Sequence, residues 1–311
     1  MGIDFHTARF LLTATTDWGI NLGSTATIGH QHFLVTEAQL QNLEEEFNLA
    51  WATPELSNAR GKFADPFLRC LGARAIASLD ASPYEAADII HDMNQPIPSE
   101  WIEKFDTVFD GGSLEHIFNF PTAVRNCKQM TRIGGHFIGA SPANGWCGHG
   151  FYQFSPELYF RVFSAANGFR VRRAMMYDSS GRWYEVEDPA QLCQRVELSA
   201  PTLRILFIFL AQRIADAPLF EMAPQQSDYS RVWRGEKLAE NAASPSESSL
   251  KKIVKPGILV TERLFPAVRR MTNKIRDYRY RRTVAQQTIR GLYAPQLKRV
   301  ESPRQAQPPT A

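Results

Sequence analysis

The 311-residue chain has only four cysteines, Cys70, Cys127, Cys147 and Cys193, and no two of them stand in a CxxC pair. Such scattered thiols exclude a disulfide scaffold and a thiolate metal knuckle, and predict free cysteines in a reducing compartment. Long hydrophobic runs are lacking too. The most apolar stretch, Ile205–Ala211, is seven residues long and lies between Arg204 and Arg213. A membrane-spanning helix needs roughly 20 such residues, so this stretch is expected to be a buried strand. The opening MGIDFHTARFLL has no basic n-region, no long apolar core and no small-residue cleavage site, which predicts no signal peptide. His6 stands where a myristoylation pattern wants Ser or Thr. The expectation is a soluble, cytoplasmic protein. No internal repeat and no interleaving of aromatic and basic residues of the nucleic-acid-binding kind is present, and no nucleic-acid partner is expected.

What the chain does have is a split of charge. The formal net charge is +3, yet residues 234–311 hold 17 of the 35 Lys and Arg and 6 of the 32 Asp and Glu. That stretch is therefore +11 and residues 1–233 are −8. With 44% hydrophobic residues over the whole chain, a large buried core is expected. The acidic body's short apolar runs alternate with amphipathic stretches, which predicts an α/β fold with a doubly wound, mostly parallel sheet. Strands are expected at Thr25–Ile28, Ala75–Leu79, Ile89–Ile90, Thr107–Phe109, His136–Ala140, Arg170–Met176 and Leu203–Leu210, the last pair closing the sheet with an antiparallel element. Helices are expected at Glu37–Phe47, Pro66–Leu71, Pro121–Met130 and Pro156–Asn167. Ser155 suits the cap of the last of these and Gly168 its stop. Phe63, Phe67, Phe151 and Phe154 are expected in the core.

Ligands of open parallel sheets sit beyond the C-terminal strand ends. Asp80 closes AIASLD, where a carboxylate can accept both hydroxyls of a ribose. Asp92 closes ADIIHD, where it can accept from an exocyclic amine of adenine with Met93 packed on the ring. Asp110-Gly111-Gly112 closes FDTVFD, and its glycines allow a close backbone approach. The ordered series SLDASPYE, IIHDMNQPIP, FDTVFDGGSLEHIFN, the Gly134-Gly135 turn, ASPAN and FSPELYFRVFSAANGF resembles the class I S-adenosylmethionine-dependent methyltransferases, especially their small-molecule, type 11 branch. The resemblance covers residues 75–178, with QQSDYSRVW (225–233) as a closing segment. It implies the Rossmann-like methyltransferase fold and S-adenosylmethionine as cosubstrate. Asp80 would hold the ribose, Asp92 and Met93 the adenine, and Asp110-Gly111 the region near the methionine part. Gly29 and Ser82 belong to the same implied cofactor-binding set.

Such enzymes carry a glycine-rich loop after the first strand, about 20 residues before the ribose-binding acid. Here that place is taken by TATIGHQHF, with Gly29 its sole glycine, 51 residues before Asp80. His30 and Gln31 stand where small residues are expected. Two readings stay open: a loop rebuilt around a helical insertion at Glu37–Phe47, or a methyltransferase-like domain that has lost catalysis and binds another ligand or a partner. For methyl transfer, the protein need only place an acceptor, a small molecule or glycan, in line with the sulfonium methyl, and sometimes take its proton. His116, Glu115, His149 and Tyr152 form the candidate polar rim, with His149 as base or orienting group. GWCGHGFYQF (145–154) reads as a glycine-hinged cover. Packing or capping roles for the same side chains are the plain alternative. The pairs His30-x-His32 and Cys147-x-His149 are too far apart to be counted as a metal site, and none is expected.

The body is taken as 1–233. A Ser-rich linker follows within 234–257, and 258–311 is expected to hold a basic amphipathic helix and a disordered end. Leu264, Val268, Met271, Ile275 and Tyr278 recur at steps of 4, 3, 4 and 3, with arginines and lysines between them. Such a helix at 258–282 suits an acidic surface, either anionic lipid at the membrane periphery or the protein's own body.

Overall fold

The computed structural model describes residues 2–49, 56, 62–192, 196, 203–221, 223–235 and 297–305. The Ser-rich stretch at 241–252, the basic helix at 258–282 and Cys193 lie outside them. The chain divides into two compact units. One comprises Met1–Asp188, Thr202–Gln226 and Lys298–Ala311, and the other Pro189–Pro201 and Ser227–Leu297.

In the first unit the elements run as follows. β1 (Gly2–Ile3) leads into α1 (Phe5–Thr16), then come β2 (Gly23–Ile28), β3 (His32–Phe33), α2 (Glu37–Phe47) and α3 (Asp65–Cys70). β4 (Ala73–Asp80), β5 (Ile89–Ile90), β6 (Phe105–Asp110), α4 (Phe120–Met130) and β7 (Thr131–Asn144) follow. The unit continues through α5 (Pro156–Val162), β8 (Phe169–Asp178), β9 (Trp183–Val186) and β10 (Ile205–Arg213). In the second unit the described elements are α6 (Pro189–Leu192) and α7 (Ser227–Trp233), the latter formed by the segment read as closing the motif series. The last strand, β11 (Leu297–Val300), joins the main sheet at its edge.

Nine strands form that sheet in the order β11-β9-β8-β10-β7-β6-β2-β4-β5. β5, β4, β2, β6 and β7 are mutually parallel, while β10 runs antiparallel to both β7 and β8. This is the doubly wound, mostly parallel sheet with a reversed closing strand that the sequence predicts, the Rossmann-like methyltransferase fold. The reversed strand explains the unbroken apolar run. β10 is hydrogen-bonded on both edges, and Ile205 and Phe207–Ala211 are all at most 1% exposed. A strand covered on both faces has no solvent side to mark with polar residues.

Local chemistry sets the helix ends. Thr36 and Gln39 make a reciprocal capping box at the start of α2, so its bounds coincide with those expected. α1 is not among the helices expected from the sequence. Asp4 caps it, its Oδ1 accepting from Thr7 N at 2.8 Å, and Ala8, Phe10, Leu11 and Leu12 are buried. α5 stops at Val162 rather than continuing, and a separate 3-10 turn at Ala165–Asn167 leads to Gly168. Of the four expected core phenylalanines, Phe67 and Phe154 are buried, but Phe151 is 67% exposed. Phe63 is half-buried, its ring stacked on His30 with centroids 3.4 Å apart.

Residues 302–305, the start of the segment expected to be loose, pack against the fold. Beyond β11, Pro303–Gln305 form a turn whose Arg304 pairs with Asp17 at 2.8 Å. Its guanidinium also donates to Glu46 O at 2.7 Å and lies over the Phe47 ring. Composition signalled disorder there, but one arginine with an acid, a carbonyl and an aromatic face holds the segment down. No helix among the described residues is long and apolar enough to cross a membrane. Cys70, Cys127 and Cys147 are free thiols.

One consequence for stability concerns His136, on β7 opposite Thr107 and Gln212. Burial, and then the charges of Arg172 and Arg132, push its pKa down to about 4. In the unfolded chain a histidine titrates near 6.5. Between these values the unfolded state binds the extra proton, so folding weakens as pH falls through that window and is at full strength above it. Replacing His136 with Gln should shrink the loss of stability between pH 7 and pH 4.5 by ~2 kcal/mol, measured by urea denaturation at both pH values. An unchanged pH difference would show that His136 is not the titrating group.

Candidate functional site

The C-terminal ends of β2, β4, β5 and β6 open into a cleft of about 200 Å3. It is lined by Ile28 and Gly29 after β2, Leu79, Asp80 and Ala81 after β4, His91 to Asn94 after β5, and Ser113, His116 and Ile117 after β6. Register explains the convergence: Ile28 stands beside Leu79 on one side and Asp110 on the other, and Asp80 beside Ile90. Residues far apart in sequence are thus brought to one sheet edge.

Gly29, Asp80, Asp92, Met93 and His116 all line this cleft. Asp80 is half-buried and its Oδ1 accepts from Ser82 N at 3.0 Å. Asp92 is exposed, and accepts from Asn94 N at 2.9 Å and Asn94 Nδ2 at 2.7 Å; these hydrogen bonds hold its carboxyl below the usual range. Met93 is buried against Asn126. Apolar walls come from Ile28, Leu79, Met93 and Ile117. Ser82 does not line the cleft; its hydroxyl accepts from Tyr84 N at 3.4 Å and caps the turn Pro83–Glu85.

Asp110 and Gly111 are not on the cleft wall either. Asp110 is fully buried and its Oδ1 accepts from Ser113 N at 2.8 Å and Leu114 N at 3.2 Å, which caps the turn Leu114–His116. Burial pushes its carboxyl up to about 7. Gly111 does meet a close neighbour, but that neighbour is a protein side chain. A Cβ there would lie 2.3 Å from Gln31 Oε1 and 2.9 Å from Gln31 Cδ. Gln31 is buried, donating from Nε2 to Ile28 O at 2.5 Å and, more weakly, to Ser113 Oγ at 3.4 Å. Gly2 N also donates to Gly111 O at 3.2 Å. The residues that replace a glycine-rich loop thus have structural partners: His30 lies between Glu85 O (2.8 Å) and Asp65 Oδ2 (3.0 Å), and Gln31 against Gly111.

Beside His116 stands the rim. Phe151 N and Tyr152 N both donate to Glu115 O, at 2.9 and 3.2 Å, and so pin the glycine-hinged loop against the turn after β6. Only glycine fits at position 150: a Cβ would meet Glu115 O at 2.9 Å and His116 Nδ1 at 3.2 Å. The pinned loop brings His149 Nε2 to 3.5 Å from Glu115 Oε1, and the His116 and His149 rings to 5.0 Å between centroids. Glu115 is 0% exposed, and burial followed by the charge of Asp110 pushes its carboxyl up to about 8. Burial, and then His149, push His116 down, which leaves it a neutral imidazole near pH 7. Tyr152 is turned to a structural task, its hydroxyl donating to Phe118 O at 2.6 Å.

Sequence reasoning missed Gln31 as a packing group and His91, Asn94, Ser113 and Ile117 as lining. None has a spacing signal of its own; each is carried in by a strand end.

No protein-family model matches the chain, and no curated protein matches it either. Among solved structures, the chain is similar to the N-methyltransferase NodS of Bradyrhizobium japonicum WM9 at 14% identity. That match covers 68% of this chain and 94% of the other, with a TM-score of 0.35. A geranyl diphosphate methyltransferase solved with SAM matches at 12% identity over 68% of this chain and 85% of its own, with a TM-score of 0.34. The branched-chain polyamine synthase of Thermus thermophilus matches at 13% identity over 69% of this chain and 58% of its own, with a TM-score of 0.33. Likenesses this distant carry no residue role and no substrate to this chain, whose fold rests on its own sheet order.

Proposed function

We propose that the chain binds S-adenosylmethionine in this cleft and transfers its methyl group to a small-molecule or glycan acceptor at the rim. The observation that supports this is the meeting of Gly29, Asp80, Asp92 and Met93 on one open cleft at the strand ends. The side chains present suit a nucleoside. Asp80 offers a carboxylate to ribose hydroxyls, Met93, Ile28, Leu79 and Ile117 offer apolar walls to a base, and Asp92 offers an acceptor to its amine. Ser113 and His116 line the remainder of the cleft, where the rest of the cofactor would run. When bound, S-adenosylmethionine supplies an electrophilic methyl group. The chain's own part is to orient the acceptor and take its proton, for which His149 and His116 are placed at the rim beside Glu115. Tyr152 serves by fixing the loop that carries His149.

A second reading, a methyltransferase-like protein that binds a ligand without catalysis, is favoured by one observation. Gln31 fills the space against Gly111, next to which the resemblance implies the methionine part. Calorimetric titration separates the two. Under the first reading S-adenosylhomocysteine binds at least 10-fold tighter than adenosine, because its amino-acid half gains contacts beyond the nucleoside. Equal affinity for both would leave a nucleoside-binding protein, and no binding of either would remove the first reading and leave the second.

A further inference from the structure

Glu115, His116 and His149 are, among the described residues, the one group of three potential ligand side chains within reach of a single ion, each offering an atom within 4.8 Å of the others. The burial of Glu115 makes this group unusual. Its side chain is 1% exposed, yet neither carboxylate oxygen has a hydrogen-bond partner. Buried polar atoms are almost always satisfied, because one left bare gives up its hydration for nothing. Among the described side chains the base paired with it is His149, whose Nε2 lies 3.5 Å from Oε1, too far for a hydrogen bond. The arrangement is also held in place before any ligand arrives. The two backbone donors on Glu115 O and the obligatory glycine at 150 fix the loop that bears His149. That is the support a metal site needs from its surroundings.

We propose that Glu115, His116 and His149 bind a divalent transition-metal ion of the zinc class. Two imidazoles and one carboxylate are the donor set such an ion takes when it keeps positions open for a further ligand. Tetrahedral bonds of about 2.1 Å place donors ~3.4 Å apart, a contraction that rotation of the two exposed histidines supplies. His116 also lines the cleft, so the ion sits at its rim and its open positions take an oxygen ligand there; while the ion is bound the two imidazoles are ligands and not bases. The His30-x-His32 segment is no rival: its imidazoles are held by Asp65, Glu85 and the Phe63 ring.

The site stands on its own geometry, so its test leaves the nucleoside out. Co2+ is titrated into the full chain freed of metal, read by visible absorption, and Zn2+ is used to displace it. The wild type should bind one equivalent of Co2+. Glu115→Gln, His116→Asn and His149→Asn should each weaken binding at least 30-fold, while His32→Asn leaves it unchanged. Zn2+ should raise the thermal midpoint of the wild type and not that of Glu115→Gln, a variant that keeps side-chain volume and sheds the buried acid. Absence of saturable binding by the wild type would overturn the site. So would binding that survives Glu115→Gln or is lost in His32→Asn.

Discussion

Asp80→Ala should weaken S-adenosylhomocysteine binding about 100-fold and leave the fold intact. Asp80 ends β4 on the cleft wall, and one of its oxygens is already engaged by Ser82 N at 3.0 Å. The backbone donor orients the carboxylate without neutralising it, so the remaining lone pairs are ready for a diol. Hydrogen bonds to a charged acceptor contribute about 1.5–3 kcal/mol each, and a loss of ~3 kcal/mol is two decades of affinity. Asp80→Asn separates charge from shape: it retains an acceptor for Ser82 N, and should cost ~10-fold. Both variants should unfold within ~1 kcal/mol of the wild type, because the residue is only half-buried and its carboxylate bonds a backbone donor two residues on rather than filling the core. Unchanged affinity in Asp80→Ala would remove the ribose role.

Phe209→Ala should cost ~3–5 kcal/mol of unfolding free energy. Phe209 is 0% exposed in the middle of β10, paired with Gly139 of β7 and Ala174 of β8. Its ring centroid lies 5.2–5.7 Å from those of Tyr159, Phe160, Phe163 and Phe207. These side chains come from α5, its end and β10, so one truncation opens a void that no single neighbour can fill. Phe209→Leu should lose markedly less, since it keeps most of the apolar volume. Urea denaturation of both variants checks the pair. A cost below ~1 kcal/mol for alanine would mean the ring cluster is not packed as described.

The fold was legible where periodicity and end chemistry agreed. Strand β10 announced itself by seven apolar residues without a break, and α2 by a pattern whose start its capping box fixes and whose end Asn48 closes. What escaped was encoded in single contacts. α1 depends on Asp4, whose carboxylate also accepts from Tyr177 Oη at 2.9 Å, a partner 173 residues away. β9 depends on the turn in which Asp178 Oδ1 accepts from Ser180 N at 2.9 Å. The turn Pro303–Gln305 depends on what Arg304 meets across the fold.

The candidate site divides in the same way. Asp80, Asp92, Met93, Gly29 and His116 share the cleft because strand ends in a parallel sheet must converge, a rule that needs only the order of the motifs. Asp110 shows its limit. It too ends a strand, but with Ser113 three residues on it caps the next turn. The packing of Gln31 on Gly111 could not be read from either segment, because only the register of β2 beside β6 sets them together. The grouping of Glu115 with His149 likewise depends on a loop returning to a carbonyl.

The most direct test is a crystal structure of the full chain grown with saturating S-adenosylhomocysteine. The nucleoside should lie between Asp80 and Asp92 against Met93, with its ribose hydroxyls in hydrogen-bond reach of Asp80. A cleft without ligand at saturation, or ligand bound elsewhere on the chain, would contradict the assignment of this cleft as the cofactor site.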